Sequence, residues 1–218
     1  MKNRKLRIVN YLLSLGGVLL AAFCYPSLPE QIPMHWNIDG SVTYNSKGQI
    51  FLMCGMAVFF AFMVDVLPKI DPRRKNYRKF DAYYDSFCVI MQIFMLAMNG
   101  IILLESFRPG TVSVPMVTMT GVGILFLFIG NILPKIKSNF YMGIKTPWAL
   151  SSDEVWRKTH RLGGKCFFLA GLFMLISAFL PSRKSVYLGT FLCVMTACIL
   201  PGIMSYIWWK REQHTESM

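Results

Sequence analysis

A chain of 218 residues that is 54% hydrophobic and still carries a formal charge of +12 is not an ordinary soluble domain, where so many cations and so many apolar side chains do not coexist. With a mean hydropathy of +0.44, the apolar residues have to be segregated from the charged ones. They are: long uncharged runs alternate with basic stretches.

Six runs have the length and composition to cross a bilayer: Leu6 to Tyr25, Ile50 to Pro68, Phe87 to Glu105, Val114 to Pro134, Cys166 to Pro181 and Val186 to Trp209. The cations set their orientation. With the N-terminus inside, all of the 23 Lys and Arg residues except Lys47, Arg108, Arg183 and Lys184 fall on the cytoplasmic side, so both termini are expected in the cytoplasm. Topology thus accounts for the charge, and no nucleic-acid recognition fold is visible. The basic loop Lys69 to Lys79 suits anionic membrane lipids. The expectation is an all-α, multi-pass protein of the cell membrane, a single polytopic domain over 1–218, with a first helix pair in 1–80 and four further helices in 81–218.

The first run lacks a small-residue cleavage site before Cys24-Tyr25-Pro26, so it is read as a retained helix and not as a signal peptide. After it, Pro26 to Gly48 is expected outside. Pro26, Pro29 and Pro33 hold this loop extended, Asp39-Gly40 supplies a turn, and Tyr25, Trp36 and Tyr44 suit the membrane interface. His35 near Glu30 and Asp39 has irregular spacing for a metal site. The favoured reading is a folded cap over the outer helix ends, with no metal or cofactor.

The second run ends in Asp65-Val66-Leu67-Pro68-Lys69-Ile70. Asn131-Ile132-Leu133-Pro134-Lys135-Ile136 and Cys198-Ile199-Leu200-Pro201-Gly202-Ile203 echo it, which suggests three helical hairpins in parallel repeat. A proline late in a span frees a carbonyl one turn back. Asp65 and Asn131 sit there, either as intramembrane polar residues that answer it inside the bundle or as polar residues near the inner headgroup level, where a charge costs little. Pro109-Gly110 turns the chain outside, as does the stretch Pro181 to Ser185.

The segment Gly130 to Lys165 is too rich for a connector. Pro147-Trp148 interrupts the chain, and Ser151 with Glu154 reads as a capping box for a helix from about Ser152 to Leu162, with Asp153 pairing Arg157 and Gly163-Gly164 ending it. This inner loop, 135–165, is expected to hold an interfacial amphipathic helix. Ser151, Asp153 and His160 share it without the geometry of a triad, and no phosphate-binding, zinc-protease or hydrolase motif occurs. The six cysteines lie in or beside spans and read as packing residues. The tail after Trp209 is expected to fray.

Two blocks carry a resemblance: Leu28-Pro29-Glu30-Gln31-Ile32-Pro33-Met34-His35-Trp36-Asn37-Ile38-Asp39-Gly40, and Gly130-Asn131 with Asn139-Phe140-Tyr141-Met142-Gly143-Ile144-Lys145-Thr146-Pro147-Trp148 through Val155-Trp156 to Lys158-Thr159-His160. With the six spans they resemble the SdpI family of bacterial membrane immunity proteins over nearly the whole chain. The resemblance implies a non-enzymatic protein that protects its cell from a secreted, membrane-active toxic peptide. It also implies that the protein relays the toxin's presence to a cytosolic transcriptional repressor held at the membrane. Carried over, Glu30, His35, Trp36, Asn37, Asp39 and Gly40 become toxin-facing. Asn139, Gly143, Lys145, Thr146, Pro147, Trp148, Trp156, Lys158, Thr159 and His160 become partner-facing, and no residue is catalytic. The alternative is a small membrane transporter or channel for a peptide or ion, resting on the repeat, Asp65, Asn131 and the prolines.

Overall fold

The computed structural model describes residues 1–37, 39–180 and 184–216. Arg183 and the centre of the expected turn from Pro181 to Ser185 lie outside the described residues. Six helices are long and apolar enough to span a membrane: α1 (Arg4–Cys24), α2 (Ile50–Ile70), α3 (Asp81–Phe107), α4 (Val114–Ile132), α6 (Asp153–Ala178) and α7 (Lys184–Glu216); α5 is a short turn of helix, Pro147–Ser151. Large apolar side chains stay exposed along them, such as Leu19 at 70%, Phe23 at 85% and Phe59 at 62%. In a soluble protein that would be a liability; on these helices it is the face that lipid covers. The chain is a multi-pass membrane protein.

Packing divides it into two units, Met1–Val66 with Asp85–Gly121 and Leu67–Tyr84 with Val122–Met218. The units interleave along the chain.

In the first unit, Asn3 caps α1 by accepting from the Lys5 and Leu6 amides. The loop after α1 carries the small amount of sheet in this helical protein: β1 (Gln31–Trp36) and β2 (Val42–Ser46) form an antiparallel hairpin with a register shift between Pro33 and His35. Its reason is a period of two. Ile32, Met34 and Trp36 face a core of Ala21, Leu28, Ile50, Cys54, Ile102 and Leu103, while Gln31 and His35 face out; Pro33, beside the register shift, breaks the alternation and is buried too. The hairpin is thus the folded cap that the loop composition indicates, packed on the ends of α1, α2 and α3. Asp39 and Gly40 make its turn, with Asp39 Oδ1 accepting from the Ser41 amide at 2.9 Å. The Pro109-Gly110 turn is held by Glu105, whose carboxylate accepts from the Gly110 and Val112 amides, each at 2.8 Å.

In the second unit α4 and α6 approach through two glycine pairs. A Cβ on Gly130 would lie 2.7 Å from the Gly164 carbonyl oxygen, and one on Gly171 would lie 2.7 Å from that of Gly123. Both spacings are seven residues, so the pairs stack along one antiparallel seam. This overturns two expectations. Gly163-Gly164 does not end a short interfacial helix; α6 runs on to Ala178 as a single element, because the glycines serve close packing and not a C-cap. The cap is Ser152, which accepts from the Val155 amide, while Ser151 donates to the Trp148 carbonyl. Likewise Arg157 and Lys158 both pair with Glu154, in place of an Asp153 to Arg157 pair. The tail does not fray at Trp209 but stays helical to Glu216, and Ser152 Oγ donates to Glu212 Oε1 at 3.0 Å, which anchors it.

The three proline motifs fall differently in their helices. Pro68 lies late in α2, Pro134 in a 3-10 turn after α4, and Pro201 in the interior of α7.

Candidate functional site

The second unit contains a polar assembly built on Asp71, the one acid between Lys69 and Lys79. Asp71 is 1% exposed. Its carboxylate accepts from the Arg73 amide at 2.6 Å and the Phe140 amide at 2.9 Å. The Tyr77 hydroxyl lies 3.1 Å from Asp71 Oδ2 and 3.1 Å from Asn139 Oδ1. Burial first, and then the negative charge of Asp71, push the Tyr77 phenol above its ordinary range. Tyr77 therefore stays a protonated donor. Arg73 reaches across to Ser138 Oγ and donates to the Leu150 carbonyl at 2.9 Å, with its guanidinium over the Phe140 ring. Asn76 Nδ2 donates to the Ser138 carbonyl at 2.8 Å. The basic loop after α2 is thereby sewn to the segment between α4 and α6.

That segment is shaped from within by Asn139, which is fully buried. Its Nδ2 donates to the Lys137 and Met142 carbonyls at 2.9 Å each, and its Oδ1 accepts from the Tyr141 and Met142 amides. This is a side chain standing in for a turn's missing backbone bonds. Gly143 follows with φ of +111°, and a Cβ on it would meet His160 Nε2 at 2.3 Å. His160 Nε2 accepts from the Ile144 amide at 3.1 Å, while Nδ1 lies 2.9 Å from the Trp156 carbonyl. A carbonyl can only accept, so the proton sits on Nδ1. The ring stacks on Trp156 at 3.9 Å, and Trp156 Nε1 donates to the Ile136 carbonyl at 2.9 Å. Thr146 caps α5 and shares a hydrogen bond with Ser205 of α7, and Trp148 lies against Tyr206.

The residues expected to face a partner therefore separate into two kinds. Asn139, Trp156, Thr159 and His160 are interior; together with Gly143 and Thr146 they set the shape of the segment and do not present a surface. Lys145, Pro147 and Lys158 are exposed and Trp148 half-buried, beside Phe140 and Tyr141, which are also exposed. A cleft of about 250 Å³ opens nearby between Lys79, Lys137 and Arg157, with Asn76, Asp153 and Trp156 in its walls. Asn131 is exposed, 3.4 Å from the Lys135 ammonium. Asp65, in the first unit, lies 3.2 Å from the Met1 amino group and 3.9 Å from Arg7. Both residues thus lie beside cationic groups.

On the hairpin, Glu30 pairs with Lys47 at 3.0 Å and is otherwise exposed, as are His35, Asp39 and Gly40. Trp36 is half-buried against the core and anchors the hairpin. Asn37 donates to Ser41 Oγ at 2.9 Å across the turn. Hydrogen bonds from the Ser41 hydroxyl and amide hold the Asp39 carboxyl below its usual range. Among the described residues no group of three His, Cys, Asp or Glu side chains converges as a metal site.

This arrangement has recognisable relatives. Residues 135–207, which include most of the polar segment, α6 and much of α7, match the model of the SdpI/YfhL protein family. Over that stretch the chain is similar to this family. Residues 12–58, from α1 through the hairpin into α2, match a domain of unknown function, DUF1648. Along its length the chain is 21% identical to the Immunity protein SdpI of Bacillus subtilis (strain 168), over 207 residues that cover 95% of this chain and 97% of that protein. No solved structure matches it.

Proposed function

We propose that this protein is a non-enzymatic membrane immunity protein, one that protects the cell producing it from a secreted, membrane-active toxic peptide. The observation that carries this reading is the end-to-end similarity to Immunity protein SdpI, which spans both the hairpin and the polar segment. The hairpin is the toxin-facing element: it presents Glu30, His35 and Asp39 on a rigid ladder seated on apolar core, a pre-ordered surface for a peptide. The exposed Lys145, Lys158, Phe140 and Tyr141, with the cleft flanked by Lys79, Lys137 and Arg157, form the cytosolic face, where an acidic surface of a repressor docks.

A survival assay tests the reading. The chain is expressed in a toxin-sensitive host lacking its own immunity protein, and the host is challenged with the secreted peptide. Survival should rise with the intact chain, fall for a hairpin variant carrying Glu30→Lys and His35→Ala, and persist for Lys145→Glu with Lys158→Glu. That second pair should instead abolish induction of a reporter governed by the repressor. Unchanged killing by several related peptides, with the chain shown to be in the membrane, would overturn the immunity reading.

A further inference from the structure

The first unit holds a set of polar residues that neither proposed surface uses. Asn3, Asn10 and Gly17 follow one another at seven-residue intervals on α1, and Asp85, Gln92 and Asn99 do the same on α3. One outermost pair is in direct contact and the other is bridged through α2. The Asn3 amide donates to Asp85 Oδ2 at 2.8 Å, a separation of 82 positions. At the other end Cys54 Sγ of α2 lies 3.5 Å from the Gly17 carbonyl and 3.9 Å from Asn99 Oδ1. Two helices joined in the same register at both ends keep that register between them. Asn10 and Gln92 therefore stand at one depth, about 10 Å along the axis from either neighbouring rung.

Both are buried, Asn10 at 0% and Gln92 at 1% exposure. Gln92 Nε2 donates to the Ala57 carbonyl at 2.7 Å. Its Oε1, and both Nδ2 and Oδ1 of Asn10, have no partner among the described residues. In the apolar interior of a membrane protein each such group costs several kcal/mol if left unmet. The three together are one donor and two acceptors, the complement of a water molecule, which accepts once and donates twice.

We propose that Asn10 and Gln92 form a buried water-binding site in the membrane interior of the first unit. Water accepts from Asn10 Nδ2 and donates to Gln92 Oε1 and Asn10 Oδ1. A metal cation does not fit, because the Asn10 amide donor would repel it and Asp65, on α2, faces the Met1 amino group and Arg7. A lipid chain would satisfy none of the three groups. With this rung closed, α1 and α3 are held in register by the Asn3–Asp85 contact, the bridging water and the Cys54 bridge, and a slip of one turn would break all of them together.

The test is water-selected magnetisation transfer to side-chain amides in the full-length, isotope-labelled protein in lipid nanodiscs. The Asn10 side-chain amide should receive transfer from water well above the neighbouring backbone amides, which are bonded within α1. Gln92→Leu should lower that transfer several-fold while the remaining spectrum is kept. If the variant does not fold, the spectrum of the native protein decides by itself. An Asn10 amide no better coupled to water than the helix backbone would overturn the site, as would a direct Asn10 to Gln92 amide contact.

Discussion

At the scale of single residues, Asp71 and Gly143 govern the polar segment by different physics. Asp71 supplies an acceptor to two backbone amides and stands within hydrogen-bond distance of a phenol, all away from water. Asp71→Asn keeps the shape but gives an NH2 group where an acceptor is needed. It should lower stability by about 1–3 kcal/mol, read as a drop in the midpoint of thermal unfolding in detergent. Gly143→Ala adds a Cβ in a backbone conformation that favours glycine and 2.3 Å from His160 Nε2. It should destabilise more than Gly143→Ala costs in a His160→Ala background, because the second change removes the clash though not the strain; a double-mutant cycle checks the non-additivity. On the hairpin, the Asp39 carboxyl is held below its usual range by Ser41. A group whose folded pKa is depressed adds stability above its unfolded pKa and loses it as pH falls through the folded one. Protection of the Ser41 amide against hydrogen exchange, corrected for intrinsic rate, should therefore decline as pH drops below the ordinary carboxylate range, and Asp39→Ala should lose it at neutral pH.

At the scale of elements, the seam between α4 and α6 has no slack. Gly130, Gly164, Gly123 and Gly171 bring the two backbones together with no side chain in between. Replacing Gly164 by Leu should cost about 1–3 kcal/mol or more through overpacking, and the same change at Gly16, where an added Cβ meets nothing within 4 Å, should cost far less. Comparing the two variants by unfolding in detergent isolates the seam from helix propensity. If Gly164→Leu were as well tolerated as the change at Gly16, the seam would not be a close contact in solution. The same glycines explain why α6 passes through a pair that reads like a stop signal: a glycine pair ends a helix only when the chain has to turn, and here a neighbouring helix rewards continuing.

At the scale of the whole molecule, the proposed function makes the hairpin and the basic segment separable in experiment. Substitutions at Glu30 and His35 should act on survival, and substitutions at Lys145 and Lys158 on induction. Trp156→Ala should impair both, because Trp156 is interior, bonded to the Ile136 carbonyl and stacked on His160. Protein abundance in membranes, measured beside survival, should fall with it, which marks a folding defect and not a lost contact.

The membrane class and the six spans were legible in the chain because they depend on composition and length, which tertiary contacts do not alter. The SdpI resemblance was legible too, since it rests on two irregular blocks of residues. The alternation of Ile32, Met34 and Trp36 was also present, but an extended loop rich in proline need not pair as strands, and only the apolar core beneath decided for a hairpin. Asp71 left a faint trace, an Asp-Pro step as the one acid between Lys69 and Lys79. Its role depends on Asn139 and Phe140, far along the chain, and no local pattern carries that. His160 and Trp156 stand out in the sequence, but whether an aromatic or a histidine faces a partner or the interior is settled by what packs on it. Sequence limits what each segment can be; burial, which is a property of neighbours brought together by folding, decided which of these residues remain at the surface.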